Sequence, residues 1–193
     1  MADGKGTRWK NHNDIPKHLA EINGEPVIKR TVRLLNSIDK DCEVIITSHD
    51  KRYEIEGAKR YEPKNNVLEV DRFTVELVED DITFLYGDTV YSEESIKLIS
   101  EYKTDKVEFF GNSKSIVAVK IHDSVAFSEA FQKVRNLYLD GKIEKCIGWQ
   151  VYSAFLGREI FGDERDKVIS TNMMTINDYD FNTPKEYEKI NEN

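Results

Sequence analysis

Asp81-Ile-Thr-Phe-Leu-Tyr86, closed by Gly87-Asp88, is the stretch on which the fold turns. A run of β-branched and aromatic residues between carboxylates and a glycine reads as a buried strand, the clearest in the chain. Glu43-Val-Ile-Ile-Thr47 upstream has the same character, and a further strand is expected around residues 58–62. Between residue 1 and those strands, a polar, glycine-containing loop covers residues 1–18. His18-Leu-Ala-Glu-Ile-Asn-Gly24 ends in an Asn-Gly turn, and Pro26 opens a helix to about Leu35. Val67, Leu68, Val70, Phe73, Leu77 and Val78 recur at helical spacing.

Beyond Asp88, Ser92 caps a helix to about Tyr102. Val107–Phe110 and Ile116–Ile121 form a hairpin around Gly-Asn-Ser, and an amphipathic helix spans about Ser124–Leu139. A short helix at 149–156, an extended return strand at 167–177 and a helix opened by Thr183-Pro184 complete the reading. Strand–helix alternation followed by a hairpin implies an α/β fold: a Rossmann-like, mostly parallel mixed sheet flanked by helices.

The 193 residues suit a single domain, 1–193, with a first half at 1–105 and a second half at 106–193. A net charge of −8 disfavours a nucleic-acid partner, because surfaces that track phosphate polymers are basic. Cys42 and Cys146 have no metal-ligand spacing and read as reduced thiols. No apolar run approaches the about 18 residues of a membrane span, and no signal-peptide pattern is present. The expected location is the cytoplasm, away from membranes; a homodimer is allowed but not required.

Chemistry concentrates in three places. Gly4-Lys5-Gly6-Thr7-Arg8 with Pro16-Lys17 lets backbone N–H groups approach phosphate without an intervening Cβ, while two cations neutralise it. It is not a Walker loop, since no Gly-Lys-Ser/Thr ends it. Asp88, at the carboxyl end of a strand, suits a divalent ion shared with phosphates. Asp180-Phe-Asn182-Thr183-Pro184 offers further oxygen ligands at a helix start. Taken singly, these also read as a basic tail, a turn-capping aspartate and an Asx turn.

In combination, Gly-x-Gly-Thr-Arg, Pro-Lys, strand-Gly-Asp and Asp-x-Asn-Thr-Pro resemble the GT-A-type nucleotidyltransferases. That group includes the sugar-phosphate and phosphocholine cytidylyltransferases and the molybdenum cofactor guanylyltransferase. The likeness extends to Leu19-Ala-Glu-Ile-Asn-Gly-Glu-Pro-Val-Ile28. It implies an NTP-binding half at 1–105, and an acceptor-binding half at 106–193 with a return strand and a C-terminal helix. It also implies transfer of NMP from an NTP, CTP or UTP for preference, to a small phosphorylated acceptor. By the same resemblance, Gly4, Gly6 and Thr7 cradle the triphosphate, Ala2 and Asp3 line the nucleotide site beside them, Arg8 sits at the β/γ end and Lys17 at the α-phosphate. Asp88 and Asp180 hold Mg²⁺ (or Mn²⁺) with Asn182 beside them, and Asn65 and Asn66 touch base or ribose.

Two features depart from the family pattern. The family has a strand immediately before the glycine loop, whereas the sequence begins at Met1-Ala2-Asp3-Gly4, so a start upstream or a shortened chain is expected. Asp3 stands where the family more often has a small residue, and its carboxylate would repel a triphosphate unless it binds metal or a base amino group. A GT-A glycosyltransferase and an inactive binding protein of the same fold are the competing readings; the Gly-x-Gly-Thr-Arg and Pro-Lys set counts against the former.

Overall fold

A computed structural model describes residues 1–10, 12–162, 173–176 and 178–191. In chain order the strands and helices are β1 (Glu21–Ile22), β2 (Glu25–Pro26), α1 (Val27–Ile38), β3 (Ile45–Thr47), β4 (Lys59–Tyr61), β5 (Ile82–Leu85), β6 (Thr89–Val90) and α2 (Glu93–Glu101). Then come β7 (Val107–Gly111), β8 (Ile116–Ile121), α3 (Ser124–Leu139), α4 (Gly148–Phe155), β9 (Met174–Thr175), β10 (Tyr179–Asp180) and α5 (Pro184–Asn191). They gather into two compact units. One comprises 1–62, 86–101 and 178–193, the other 63–85 and 102–177. No helix among the described residues is long and apolar enough to cross a membrane.

The first unit is built around α1. Its inward face buries Val27, Ile28, Thr31, Val32 and Leu34, the spacing expected of a helix with one wet side. Ile28 and Val32 pack with Ala2, Ile46, Tyr53 and Ile55, while Val27 belongs to a second cluster with Trp9, Ala20, Ile22, Val90 and Phe181. β1 and β2 form an antiparallel hairpin whose turn residues, Asn23 and Gly24, both have positive φ (53° and 77°). That is the two-residue turn Asn-Gly favours. β3 and β4 pair in parallel, and β10 pairs with β6 antiparallel. The chain's first residues are stitched into this unit: Ala2 N donates to Thr47 O at 3.1 Å, and Gly87 N to Met1 O at 2.9 Å. A Cβ on Gly87 would fall 2.7 Å from Met1 O. Gly87→Ala should therefore destabilise the protein by about 1–3 kcal/mol, as overpacking does. A chemical-denaturation midpoint checks this, and no change would mean that Met1 yields freely.

The second unit holds a four-stranded sheet in the order β5-β8-β7-β9. β8 is antiparallel to both β5 and β7, and β7 runs parallel to β9. Phe73 packs edge-on against Phe84 and Phe127, and Phe109 packs at a tilt against Tyr152. α3 begins at Asp123, whose carboxylate accepts from Ala126 N, an N-cap of the usual kind. Both cysteines are free, and burial pushes the Cys146 thiol up to about 11.

The fold is α/β with mixed pairing and flanking helices, which corrects the expectation of a mostly parallel sheet. Only β3–β4 and β7–β9 are parallel among the described pairings. Two further expectations change. Residues 81–86, expected as the clearest buried strand, give β5 at one end of its sheet with only Phe84 buried, because β8 takes the doubly paired position. Residues 67–78 form two short 3₁₀ turns, Glu69–Phe73 and Val75–Leu77, broken at Thr74 in the left-handed region (φ 42°). The apolar spacing there is real, but Asp71 accepts from Val67 N and Leu68 N and tightens the chain into a turn. Of the expected return strand at 167–177, Met174–Thr175 is strand, and residues 167–172 and 177 lie outside the described residues.

Candidate active site

Every residue of the site lies in the first unit. The glycine loop is strung between two buried anchors, Ala2 at 3% and Trp9 at 2% exposure, and Lys5 to Arg8 between them are exposed. Gly6 O accepts from both Trp9 N and Lys10 N at 3.0 Å, which closes the loop's far end. Trp9 donates its ring N–H to Ile15 O and packs at a tilt against Phe181 and edge-on against Tyr187. Tyr187 in turn donates to Glu21 O. This aromatic cluster ties the loop after Arg8 to the segment before α5.

Lys17 follows Pro16, in a short 3₁₀ turn at Lys17–Leu19. The next residue, His18, is buried, with Nδ1 2.7 Å from the Tyr53 hydroxyl, and burial raises the Tyr53 pKa. That pairing fixes the turn from behind and leaves Lys17 facing the other way. Asp88 arrives from the segment ahead of β6, and Asp180 ends β10, the antiparallel partner of β6. Thr183 and Glu186 form a reciprocal cap on α5. Glu186 Oε2 accepts from Asn182 N and Thr183 N at 2.6 and 3.0 Å, and Thr183 Oγ1 accepts from Glu186 N. The bond from Asn182 N holds the Glu186 carboxyl below its ordinary pKa.

The side chains from these places form one hydrogen-bonded chain. Lys17 Nζ donates to Asp88 Oδ2 at 2.5 Å and to Asn182 Oδ1 at 3.1 Å. Arg8 Nη2 donates to the same Asn182 Oδ1 at 2.9 Å, and Asn182 Nδ2 donates to Asp180 Oδ2 at 2.8 Å. The Lys17 ammonium also lies 5.4 Å from the centroid of the Phe181 ring, a favourable place for a cation. Two cations, two carboxylates and an amide thus meet from three distant parts of the sequence. Such a cluster is suited to an anion and a hard metal ion together.

Oxygen donors from Asp88 and Asp180 fit Mg²⁺ or Mn²⁺. Among the described residues no three His, Cys, Asp or Glu side chains gather into a cage. An ion here would take most of its shell from substrate oxygens and water, as Mg²⁺ commonly does.

Asp3 is placed in a way its sequence position did not suggest. Its Oδ1 accepts from His49 N at 2.9 Å, and its Oδ2 is 2.6 Å from His49 Nδ1. A carboxylate beside the glycine loop is thus answered by the second residue after β3. Asn65 and Asn66 belong to the other unit, on the loop before the Glu69–Phe73 turn. Sequence reasoning missed His49, Trp9 and Phe181. Trp9 directly after the motif arginine, and an aromatic inside Asp-x-Asn, were the available signals for the last two.

The structure is similar to a CTP:phosphocholine cytidylyltransferase from Streptococcus pneumoniae, with a TM-score of 0.53 at 12% identity, covering 99% of this chain and 95% of that one. The inositol-1-phosphate CTP transferase from T. maritima gives a TM-score of 0.48 at 13% identity, over 98% and 92% of the two chains. No protein-family model and no curated protein matches the sequence. At such identity the first likeness is one of fold.

Proposed function

We propose that the chain is a GT-A-type nucleotidyltransferase that moves NMP from an NTP to a small phosphorylated acceptor and releases pyrophosphate. The observation that carries this reading is the bonded chain Asp88–Lys17–Asn182–Asp180, with Arg8 on the same amide oxygen. The fold it shares with a CTP-using cytidylyltransferase supports it and makes CTP the first donor to try, ahead of UTP.

The reaction asks little covalent help of a protein. An oxygen of the acceptor's phosphate, already ionised at neutral pH, attacks the α-phosphorus in line. The bond from that phosphorus to the bridging α–β oxygen breaks, and its electron pair leaves with pyrophosphate. No general base is needed. Lys17 neutralises charge gathering on the non-bridging α oxygens, and Arg8 holds the β/γ end. The glycine loop offers backbone N–H groups to the triphosphate. Asp88 and Asp180 would hold Mg²⁺, which when bound screens the phosphate charges and orients the leaving group.

The test is pyrophosphate release over four NTPs, with Mg²⁺ and a panel of sugar phosphates and alcohol phosphates. Release that needs NTP and acceptor together supports the proposal. Silence across the panel favours an inactive binding protein, and turnover of a nucleotide-sugar favours a glycosyltransferase.

The Asp3–His49 pair adds a prediction within this reading. His49→Ala removes the ring partner of a carboxylate that is 9% exposed and adjacent to Gly4. KM for the NTP should rise by roughly three- to tenfold, about 1 kcal/mol of like-charge repulsion, with kcat little changed. Asp3→Asn added to His49→Ala should return KM toward the wild-type value. Steady-state kinetics on the two variants decides it, and an unaltered KM in His49→Ala would remove Asp3 from the nucleotide's surroundings.

A further inference from the structure

We infer that Asn182 is a positioning residue: its amide aims Lys17 and Arg8 at the reacting phosphates, and it leaves metal binding to the carboxylates. The inference rests on the proposed reaction, and it reassigns a residue that the sequence pattern placed beside the metal.

The argument is one of bonding capacity. An amide oxygen has two lone pairs and an amide nitrogen two protons. Asn182 Oδ1 accepts from Arg8 Nη2 and from Lys17 Nζ, so both lone pairs are committed to cations. A metal ion on that oxygen would have to displace one of them. The nitrogen donates to Asp180 Oδ2. Turning the amide over would set NH₂ against two cations and oxygen against a carboxylate, which is unfavourable in all three contacts. The orientation is therefore dictated by the charges around it.

The backbone beneath this side chain is held on both sides. Phe181 is fully buried against Trp9 and Tyr187, and Asn182 N is tied to Glu186 Oε2. The amide is presented from a capped turn, and it fixes two long, rotamer-rich side chains that would otherwise lose their aim. For groups acting on a transition state, a small loss of aim is costly in rate.

The test uses Asn182→Leu, close in shape but without acceptor or donor, with Asn182→Ser as a second variant should leucine impair folding. The first readout is acylation of Lys17 by an amine reagent in the protein without nucleotide or metal, followed by peptide mapping and normalised to exposed Lys10. The rate at Lys17 should rise severalfold. The second is Mn²⁺ affinity, which should stay at the wild-type value, whereas Asp88→Asn should lose about tenfold or more. The third is kinetic: kcat should fall by about a hundredfold with the acceptor's KM unchanged. Unchanged labelling of Lys17, or an Mn²⁺ affinity in Asn182→Leu as weak as in Asp88→Asn, would overturn the inference. Labelling and Mn²⁺ binding need no turnover. A protein silent with every NTP and acceptor would therefore defeat the proposed reaction while these two readouts still judged the placement of Lys17.

Discussion

Lys17→Met is expected to lower kcat for nucleotidyl transfer by about a thousandfold, while KM for the NTP changes much less. Methionine keeps the apolar stem and deletes only the ammonium. Lys17 lies at 8% exposure with its charge spread over Asp88, Asn182 and the Phe181 ring. A cation held so firmly is already placed when negative charge moves onto the non-bridging oxygens, so little reorganisation accompanies the reaction. Exposed Arg8, in its proposed place at the β/γ end, would still hold the triphosphate in the variant, so the loss should fall on kcat. Lys17→Arg should not restore activity, because a planar guanidinium cannot replace a compact ammonium lodged between Asp88 and Asn182. The measurement is single-turnover transfer at saturating NTP. A Lys17→Met rate within tenfold of wild type would remove Lys17 from the chemistry.

Local patterning makes much of the scaffold legible in the sequence. Asn23-Gly24, the Val107–Ile121 hairpin, the α3 register and the Thr183 cap on α5 each follow from interactions within a few residues. Pairings across the chain are less legible. Nothing local in Ile82–Leu85 says that β8 will flank it antiparallel, or that β8 rather than β5 will be doubly paired. Asp71 shows the same limit within a short stretch: periodicity alone reads 67–78 as a helix, whereas one buried carboxylate bonding two backbone N–H groups makes it a turn. At the site, residue types and order point to Arg8, Lys17, Asp88, Asp180 and Asn182, and the fold brings those five together. Which atom bonds which is not legible. Asn182 looks like a ligand in a motif and like a clamp only once both cations are seen on one oxygen. The Asp3–His49 pair joins residues 46 apart in sequence through a side-chain ring, and no spacing rule predicts such a contact.

Asp88→Asn should also damage activity severely, but through a different signature from Lys17→Met. The amide keeps the shape of the side chain and removes the charge that both steadies Lys17 and would hold the divalent ion. kcat should fall by about a hundredfold or more, and the Mg²⁺ concentration giving half-maximal rate should rise by about tenfold or more. Lys17→Met should leave that Mg²⁺ requirement nearly unchanged. The two variants should also differ in stability. Lys17→Met leaves behind a carboxylate whose side chain is 22% exposed and can turn to water. Asp88→Asn leaves behind an ammonium on a side chain only 9% exposed. An ion stranded away from water costs more than one that can be hydrated, so Asp88→Asn should be the more destabilising. The neighbouring Asn182 Oδ1 and the Phe181 ring keep its cost to about 1–3 kcal/mol. In the double variant Lys17→Met/Asp88→Asn, with both charges gone, the denaturation midpoint should recover above that of Asp88→Asn alone. Equal Mg²⁺ requirements in wild type and Asp88→Asn would exclude Asp88 as the ion's ligand, and a double variant less stable than Asp88→Asn alone would show that the pair does not carry its charges jointly.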